Sequence, residues 1–349
     1  MNRKGINYDV GTEMGGNWRP DYNPQTVQRE LEIIKNDLHC NAVGISGRDI
    51  GRVVVTAEAA LNLGLEAWLS PADWNNKPAE PTLAYITEAA KAAQSLHERY
   101  PGKVVFSVGS EFTLFMRGIV PGKTLMQRMH NAFKTDFVKS GKHNQPLNDF
   151  LGRANAAARS VFSGPVLYRS LSFEQVDWSN FDFIGIDHYW GEAIKDRYID
   201  MVKPLFSYGK PVINTGFGFN TNNAPVVGMA STLGNIDRRS LLLHMMLPVV
   251  GRFIRPKLNV INERDEAVQA QRLINNLKLL DEAGFAGSFI DTFVFPTNPY
   301  SATPKYDLDR ENSSLVKYYE GGKHGTTYPD MTWEPKEAFR AVADYYATH

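Results

Sequence analysis

Residues 104–115 read VVFSVGSEFTLF. The run Val104–Val108 is apolar at nearly every position, the pattern of a strand buried on both faces, as in a parallel sheet covered by helices. Glu111 comes three residues later, which places it at the C-terminal tip of that strand. Seven other segments read as strands of the same kind: Gly5–Val10, Ala42–Ser46, Leu65–Ser70, Val166–Arg169, Phe183–Asp187, Val212–Thr215 and Ser288–Phe293.

Helical patterns fall between them. Asn23 caps the first, Pro24 occupies its first turn, and Val27, Leu31, Ile34 and Leu38 recur at helical spacing. The second stops at Gly64. The third shows Leu83, Ile86, Ala90 and Ala93 on one face. Later helices are expected at Leu147–Phe162, Glu192–Ser207, Asp265–Ala283 and Pro335–Tyr346. Strand and helix alternate eight times without a break in composition. This predicts a single α/β domain over 1–349, a (β/α)8 TIM barrel. An open doubly wound sheet is the alternative, and no strand is followed by the Gly-rich phosphate fingerprint it favours. Long loops come after strand four (Phe112–Pro146) and strand seven (Asn220–Arg264), both at the mouth where barrel enzymes carry their sites. The second is rich in apolar residues, including Met229, Leu241–Leu243, Met245, Met246 and Leu247. It reads as a helix on the rim, a lid over the pocket, or a homodimer contact.

The 349 residues are 43% hydrophobic and 22% charged, with a formal net charge of zero. The chain can build a large core, and no basic surplus points to nucleic acid or anionic lipid. MNRKGINYDV runs into a strand without an apolar leader, so a cytoplasmic location is expected and no membrane span is predicted. Cys40 is the only cysteine, which excludes an internal disulfide. No metal or cofactor motif is present.

The expected site is a ring of residues at strand ends. Glu111, desolvated by Phe106, Phe112 and Phe115, would have a raised pKa and act as a general acid. FDFIGIDHYW ends strand six with Asp187, His188, Tyr189 and Trp190, a mix of polar and aromatic groups that suits a sugar ring. Asp291 lies inside the apolar run of strand eight, and a buried aspartate is paired or functional. Asp9, Arg48, Asp49, Asp73 and Trp74 complete the rim. The ordinary alternatives are an Arg48 paired with Asp49 or Asp9, and a His188 and Tyr189 satisfied in the core. Asp307 and Asp309 read as a solvated turn, and Trp333 as a staple for the last helix with Pro335 in its first turn.

At these residues the chain resembles the clan of retaining (β/α)8 glycoside hydrolases. Within that clan it is similar to bacterial proteins labelled abortive infection proteins. The matching stretches are KGINYDVGT, DLHCNAVGISGRD, FSVGSEFTLFMRGIVPG, FIGIDHYW, KPVINTGFG, GSFIDTFVFP, PKYDLD and TYPDMTWEPKEAFRAVADYYA, nearly the whole chain. The resemblance implies that Glu111 is the acid/base and that His188 and Tyr189 line the sugar site. Three positions depart from the clan pattern. Ser110 stands where an Asn usually precedes the acid/base. Gly44 stands where many members have an Arg on strand two. Gly216, in KPVINTGFGF, stands at the nucleophile position.

Retaining hydrolysis needs both carboxylates, which leaves three readings. In the first, a glycosidase-like enzyme, hydrolase or transglycosidase, uses Glu111 as acid with Asp291 or Asp187 as base. In the second, non-hydrolytic acid catalysis, cyclisation or isomerisation, acts on a more apolar substrate whose cation is stabilised by Trp190, Phe217, Phe219 and Phe293. In the third, the barrel is a catalytically inactive carbohydrate-binding protein. Gly216 is natural or introduced; its companion change at Gly44 favours a natural rebuild, since an Arg beside a vanished carboxylate would be an unpaired buried charge.

Overall fold

The computed structural model describes residues 1–11, 17, 19, 22–227, 235–237, 239–241, 243 and 254–349. Its centre is a closed barrel of eight parallel strands in sequence order. They are β1 (Arg3–Asp9), β2 (Ala42–Gly47), β3 (Glu66–Pro71), β4 (Val104–Ser110), β5 (Val166–Leu171), β6 (Ile184–Asp187), β7 (Val212–Phe217) and β8 (Gly287–Ile290). Each expected strand is present. The barrel closes where Gly5 of β1 meets Phe289 of β8. A Cβ on Gly5 would lie 2.4 Å from that ring, so only glycine lets the two strands approach.

The outer layer contains α1 (Pro24–Asn36), α2 (Ile50–Asn62), α3 (Ala79–Arg99), α4 (Phe112–Phe115), α5 (Leu125–Lys134), α6 (Asn144–Arg159), α7 (Glu266–Glu282) and α8 (Glu337–Thr348). Asn23 caps α1, its side chain accepting from the Gln25 N–H at 2.8 Å. Gly64, just after α2, has φ +83°, the left-handed turn that ends a helix. Val27, Leu31 and Ile34 of α1 and Ile86, Ala90 and Ala93 of α3 are buried against the barrel, as their spacing requires.

Three expectations fail. Glu192–Ser207 is not one helix but two short 3-10 turns, Lys195–Arg197 and Lys203–Tyr208, the second with Pro204 in its first turn. Proline cannot donate inside a continuous helix but fits the start of a new turn. Pro335 does not open the last helix. It lies in β10 (Trp333–Pro335), antiparallel to β9 (Val316–Tyr318), and Trp333 donates its Nε1–H to Glu30 at 2.8 Å instead of stapling α8. Asp307 and Asp309 are not a solvated turn, for both are fully buried. Arg264 bonds both carboxylates, Arg310 bonds Asp307, and Lys336 pairs with Asp309 at 3.0 Å. Buried charges persist when paired in this way. Of the apolar loop residues, Met229, Leu242, Met245, Met246 and Leu247 lie outside the described residues; Leu241 is half-buried and Leu243 exposed.

Candidate active site

The barrel lumen is layered. At the N-terminal end, Ala42, Trp68, Val105, Leu167, Phe183, Ile213 and Phe289 form an apolar plug. Above it a cavity of about 20 Å³, room for one water, is lined by Asn7, Gly44, Ser70, Ser107, Arg169 and Thr215 among others. The next layer, at the strand tips, holds Glu111, Asp187, Asp291, Arg169 and Tyr189.

Two irregularities in the strands aim these side chains. The pairing of β4 with β5 shifts between Ser107 and Ser110, and a bulge of this sort re-aims the side chains beyond it. Gly109 has φ +150°, and a Cβ on it would lie 2.2 Å from the Phe112 ring. Beyond it Glu111 is left-handed (φ 51°, ψ 36°) at the start of α4. The turn folds Glu111 inward until only 7% of it is exposed. Burial raises its pKa well above the ordinary carboxyl value, and the charge of Asp187 adds to that; Arg169 opposes, while Glu174 and Asp291 raise it further.

The second shift lies in β7, between Asn214 and Phe217 against β8, with its counterpart at Ile186–Asp187 against β6. It brings Thr215 and Gly216 to the lumen together. The Thr215 hydroxyl donates to Asp187 Oδ1 at 2.7 Å. A Cβ on Gly216 would stand 2.9 Å from the same oxygen, 3.1 Å from Arg169 Nη2 and 3.3 Å from the Tyr189 hydroxyl. Phe217 is thereby turned into the core and fully buried.

Arg169, in β5, joins the ring without a motif in the sequence to mark it. Its Nη2 donates to Asp187 Oδ1 at 3.1 Å and to the Thr215 carbonyl at 3.0 Å. The sequence signal is its position: Arg169 lies two residues after the inward Leu167, a charge at the end of an apolar strand. The arginine sought on strand two has no room at Gly44, where a Cβ would lie 2.2 Å from Asn7 Oδ1. A guanidinium reaches this layer from β5 instead, with Asp187 as its partner. Across the mouth, the Tyr189 hydroxyl donates to Asp291 Oδ2 at 3.0 Å. Burial raises the Asp291 pKa, with Arg169 and Tyr189 opposing.

The other expected residues divide. Ser110, half-buried at the end of β4, is in register with Arg169. Asp9 is half-buried at the end of β1 and accepts from the Gly11 N–H at 2.6 Å. Trp74 is buried, edge-on to Phe112 at 5.4 Å. Trp190 is half-buried, its ring 6.3 Å from that of Phe219. The remainder are occupied elsewhere. His188 comes directly after the inward Asp187 and stacks on Tyr198 at 4.1 Å, with Nε2 at 2.8 Å from the Tyr198 carbonyl. Burial lowers its pKa to about 4, so the ring is neutral. Phe293 is fully buried, edge-on to Trp333 at 5.3 Å. Arg48 and Asp49 are exposed, and Asp49 caps α2 by accepting from the Arg52 N–H. Asp73 pairs with Lys77. Among the described residues, no group of three or more His, Cys, Asp or Glu side chains is placed to hold a metal ion. No helix among them is long and apolar enough to cross a membrane.

These features define a (β/α)8 barrel with a buried acidic cluster at its C-terminal mouth. No protein-family model matches the chain, and no curated protein does. Solved structures share the fold. A GH113 beta-1,4-mannanase aligns over 100% of this chain and 99% of its own at TM-score 0.62 and 14% identity. The GH113 beta-mannanase from Alicyclobacillus acidocaldarius aligns over 99% and 97% at TM-score 0.55 and 15% identity. Beta-glucuronidase 3 of Bacteroides uniformis aligns over 100% of this chain and 38% of its own, at TM-score 0.56 and 14% identity. At these identities the likeness is one of fold.

Proposed function

We propose that the chain is a glycoside-cleaving enzyme of inverting type. Glu111 protonates the leaving glycosidic oxygen. Asp291 takes a proton from a water whose oxygen bonds to the anomeric carbon as the old C–O bond breaks, so the protons balance. The observation that carries this reading is Glu111 itself, a carboxyl folded inward by its own left-handed backbone, its pKa raised by burial and by the charge of Asp187. Such placement costs stability, and strained, buried acids cluster at working sites.

Asp187, buried and held at Oδ1 by Thr215 and Arg169, is less open to a substrate than Asp291. Asp291, half-buried on the strand-eight side of the mouth, is the base that remains. Tyr189, Ser110, Asp9 and Trp190 are the sugar contacts of this reading. The acid-initiated rearrangement of an apolar substrate loses support from Phe217 and Phe293, whose fully buried rings have no surface to offer a cation. An inactive binding barrel leaves the cost of burying Glu111 without a return.

The test is release of nitrophenol from aryl glycosides of both anomers, β-mannosides and β-glucuronides among them, with and without azide or formate. NMR then identifies the first-formed anomer. Release without added anion, giving the inverted sugar, is expected. Release only with the anion would mean a site whose nucleophile is missing at Gly216. No release under any condition would sink the proposal.

A further inference from the structure

The four-residue helix that begins after Glu111 is held at both ends by side chains to which the catalytic reading gives no role. At its start, the Phe112 N–H donates to the Tyr168 hydroxyl at 2.9 Å. That hydroxyl donates to Glu174 at 3.0 Å, and the Thr113 N–H also reaches Glu174, at 3.3 Å. Glu174 is anchored in turn by the Leu171 N–H at 2.8 Å. The Phe112 ring lies nearly parallel on Tyr168, centroids 5.3 Å apart, and fills the place a side chain on Gly109 would need. At the other end, Arg128 donates to the Leu114 and Phe115 carbonyls at 2.7 and 2.9 Å.

A left-handed glutamate is unfavourable and persists only where its surroundings over-determine it. The Glu111 N–H is tied to the Arg169 carbonyl at 3.0 Å, and the next two N–H groups are tied to Tyr168 and Glu174. The chain on both sides of the Glu111 Cα is therefore fixed by β5 and the turn after it. We infer that Tyr168 and Glu174 are positioning residues that hold the Glu111 carboxyl in its inward, desolvated place. The inference rests on the proposed role of Glu111 as acid. Glu174 also faces Glu111, and its charged form raises the Glu111 pKa; burial lifts Glu174's own pKa to about 7, so that charge is present only toward neutral pH and above.

The experiment tracks the Glu111 carboxyl by 13C NMR through a pH titration, with Glu111→Gln to assign the signal, in the wild type, Tyr168→Phe and Glu174→Gln. Steady-state kinetics on an aryl glycoside are measured alongside. Without the hydroxyl, the Phe112 N–H loses its partner, and Glu174→Gln replaces the carboxylate that accepts from Tyr168 and from the Thr113 and Leu171 N–H groups, so in both variants Glu111 relaxes toward water. Both variants should lower the Glu111 midpoint by about half a unit or more. They should reduce kcat about 10- to 100-fold with KM within about twofold, the signature of a misplaced acid. An unchanged midpoint and kcat in folded variants, with only a lower melting temperature, would overturn the inference. If Tyr168→Phe does not fold, Glu174→Gln decides alone. A shifted midpoint in a protein that cleaves no glycoside would retain the positioning and discard the proposed function. An active wild type with an unmoved midpoint would do the reverse.

Discussion

Arg169 Nη2 lies 3.1 Å from Asp187 Oδ1, and the two side chains close over the place where a Cβ on Gly216 would stand, 3.1 and 2.9 Å away respectively. The layer at the strand tips is thus built around an ion pair between β5 and β6. Asp187 supplies a carboxylate from a neighbouring strand, and Gly216 makes room for it. The predictions test that arrangement and the acid facing it.

Gly216→Glu should not create a retaining enzyme. The new Cβ crowds Asp187 Oδ1, which Thr215 and Arg169 hold in place, and another carboxylate enters a buried acidic site. Destabilisation of about 3 kcal/mol or more is expected in urea unfolding. Adding Asp187→Gly should recover most of it. A Gly216→Glu protein as stable as the wild type would show that the space is already open.

Arg169→Met should cost about 3–5 kcal/mol at pH 7, since it leaves Asp187 buried without its cation. Arg169→Met with Asp187→Leu should cost far less than the single change. A double-mutant cycle in urea measures the coupling, and additive single effects would contradict the pairing.

Glu111→Gln should lower kcat by about 10²–10⁴-fold while raising stability at alkaline pH. Linkage gives the sign. The folded pKa of Glu111 is above its unfolded value, so its contribution is fully present below the unfolded pKa and is lost as pH rises through the folded one. Melting temperatures of wild type and variant should nearly coincide at about pH 4 and diverge in favour of the variant by about pH 8. A variant less stable throughout that range would mean that the carboxyl is structural.

The same raised pKa places the alkaline limb of kcat/KM above the range of an ordinary carboxylic acid, because activity falls as Glu111 loses its proton. Asp187→Asn removes the leading charge that raises it and leaves Arg169 to lower it. The limb should move to lower pH in that variant. A limb that stays in place would assign it to another group.

Arg128→Met should destabilise by about 2–4 kcal/mol, since it strips buried donors from the Leu114 and Phe115 carbonyls and from Asn76. Limited proteolysis should then cut first within 112–124. Cleavage elsewhere, at the wild-type rate in that loop, would argue against Arg128 as the clasp of the segment behind Glu111.

The sequence by itself determined the barrel. Apolar runs of strand length separated by helical periodicity leave one closed parallel sheet as the way to bury every strand on both faces, and the caps at Asn23 and Gly64 are local chemistry read from neighbouring residues. It also pointed to Glu111, Asp187, Tyr189 and Asp291, because charge and hydroxyl at the end of an apolar strand are costly without a partner. Direction and partnership were left to the tertiary structure. The bulges in β4 and β7 depend on register against neighbouring strands, and a shift in that register brings Gly216 to the lumen and buries Phe217 in the core. His188 follows the inward Asp187 and packs on Tyr198 instead of facing the lumen, and Phe293, beyond the end of β8, packs on Tyr8 and Trp333. Arg169 reaches Asp187 across 18 residues of chain, and Lys336 reaches back to Asp309 from beyond β9. Such pairs form only when the barrel closes and withdraws water from both charges, a condition that no window along the sequence contains.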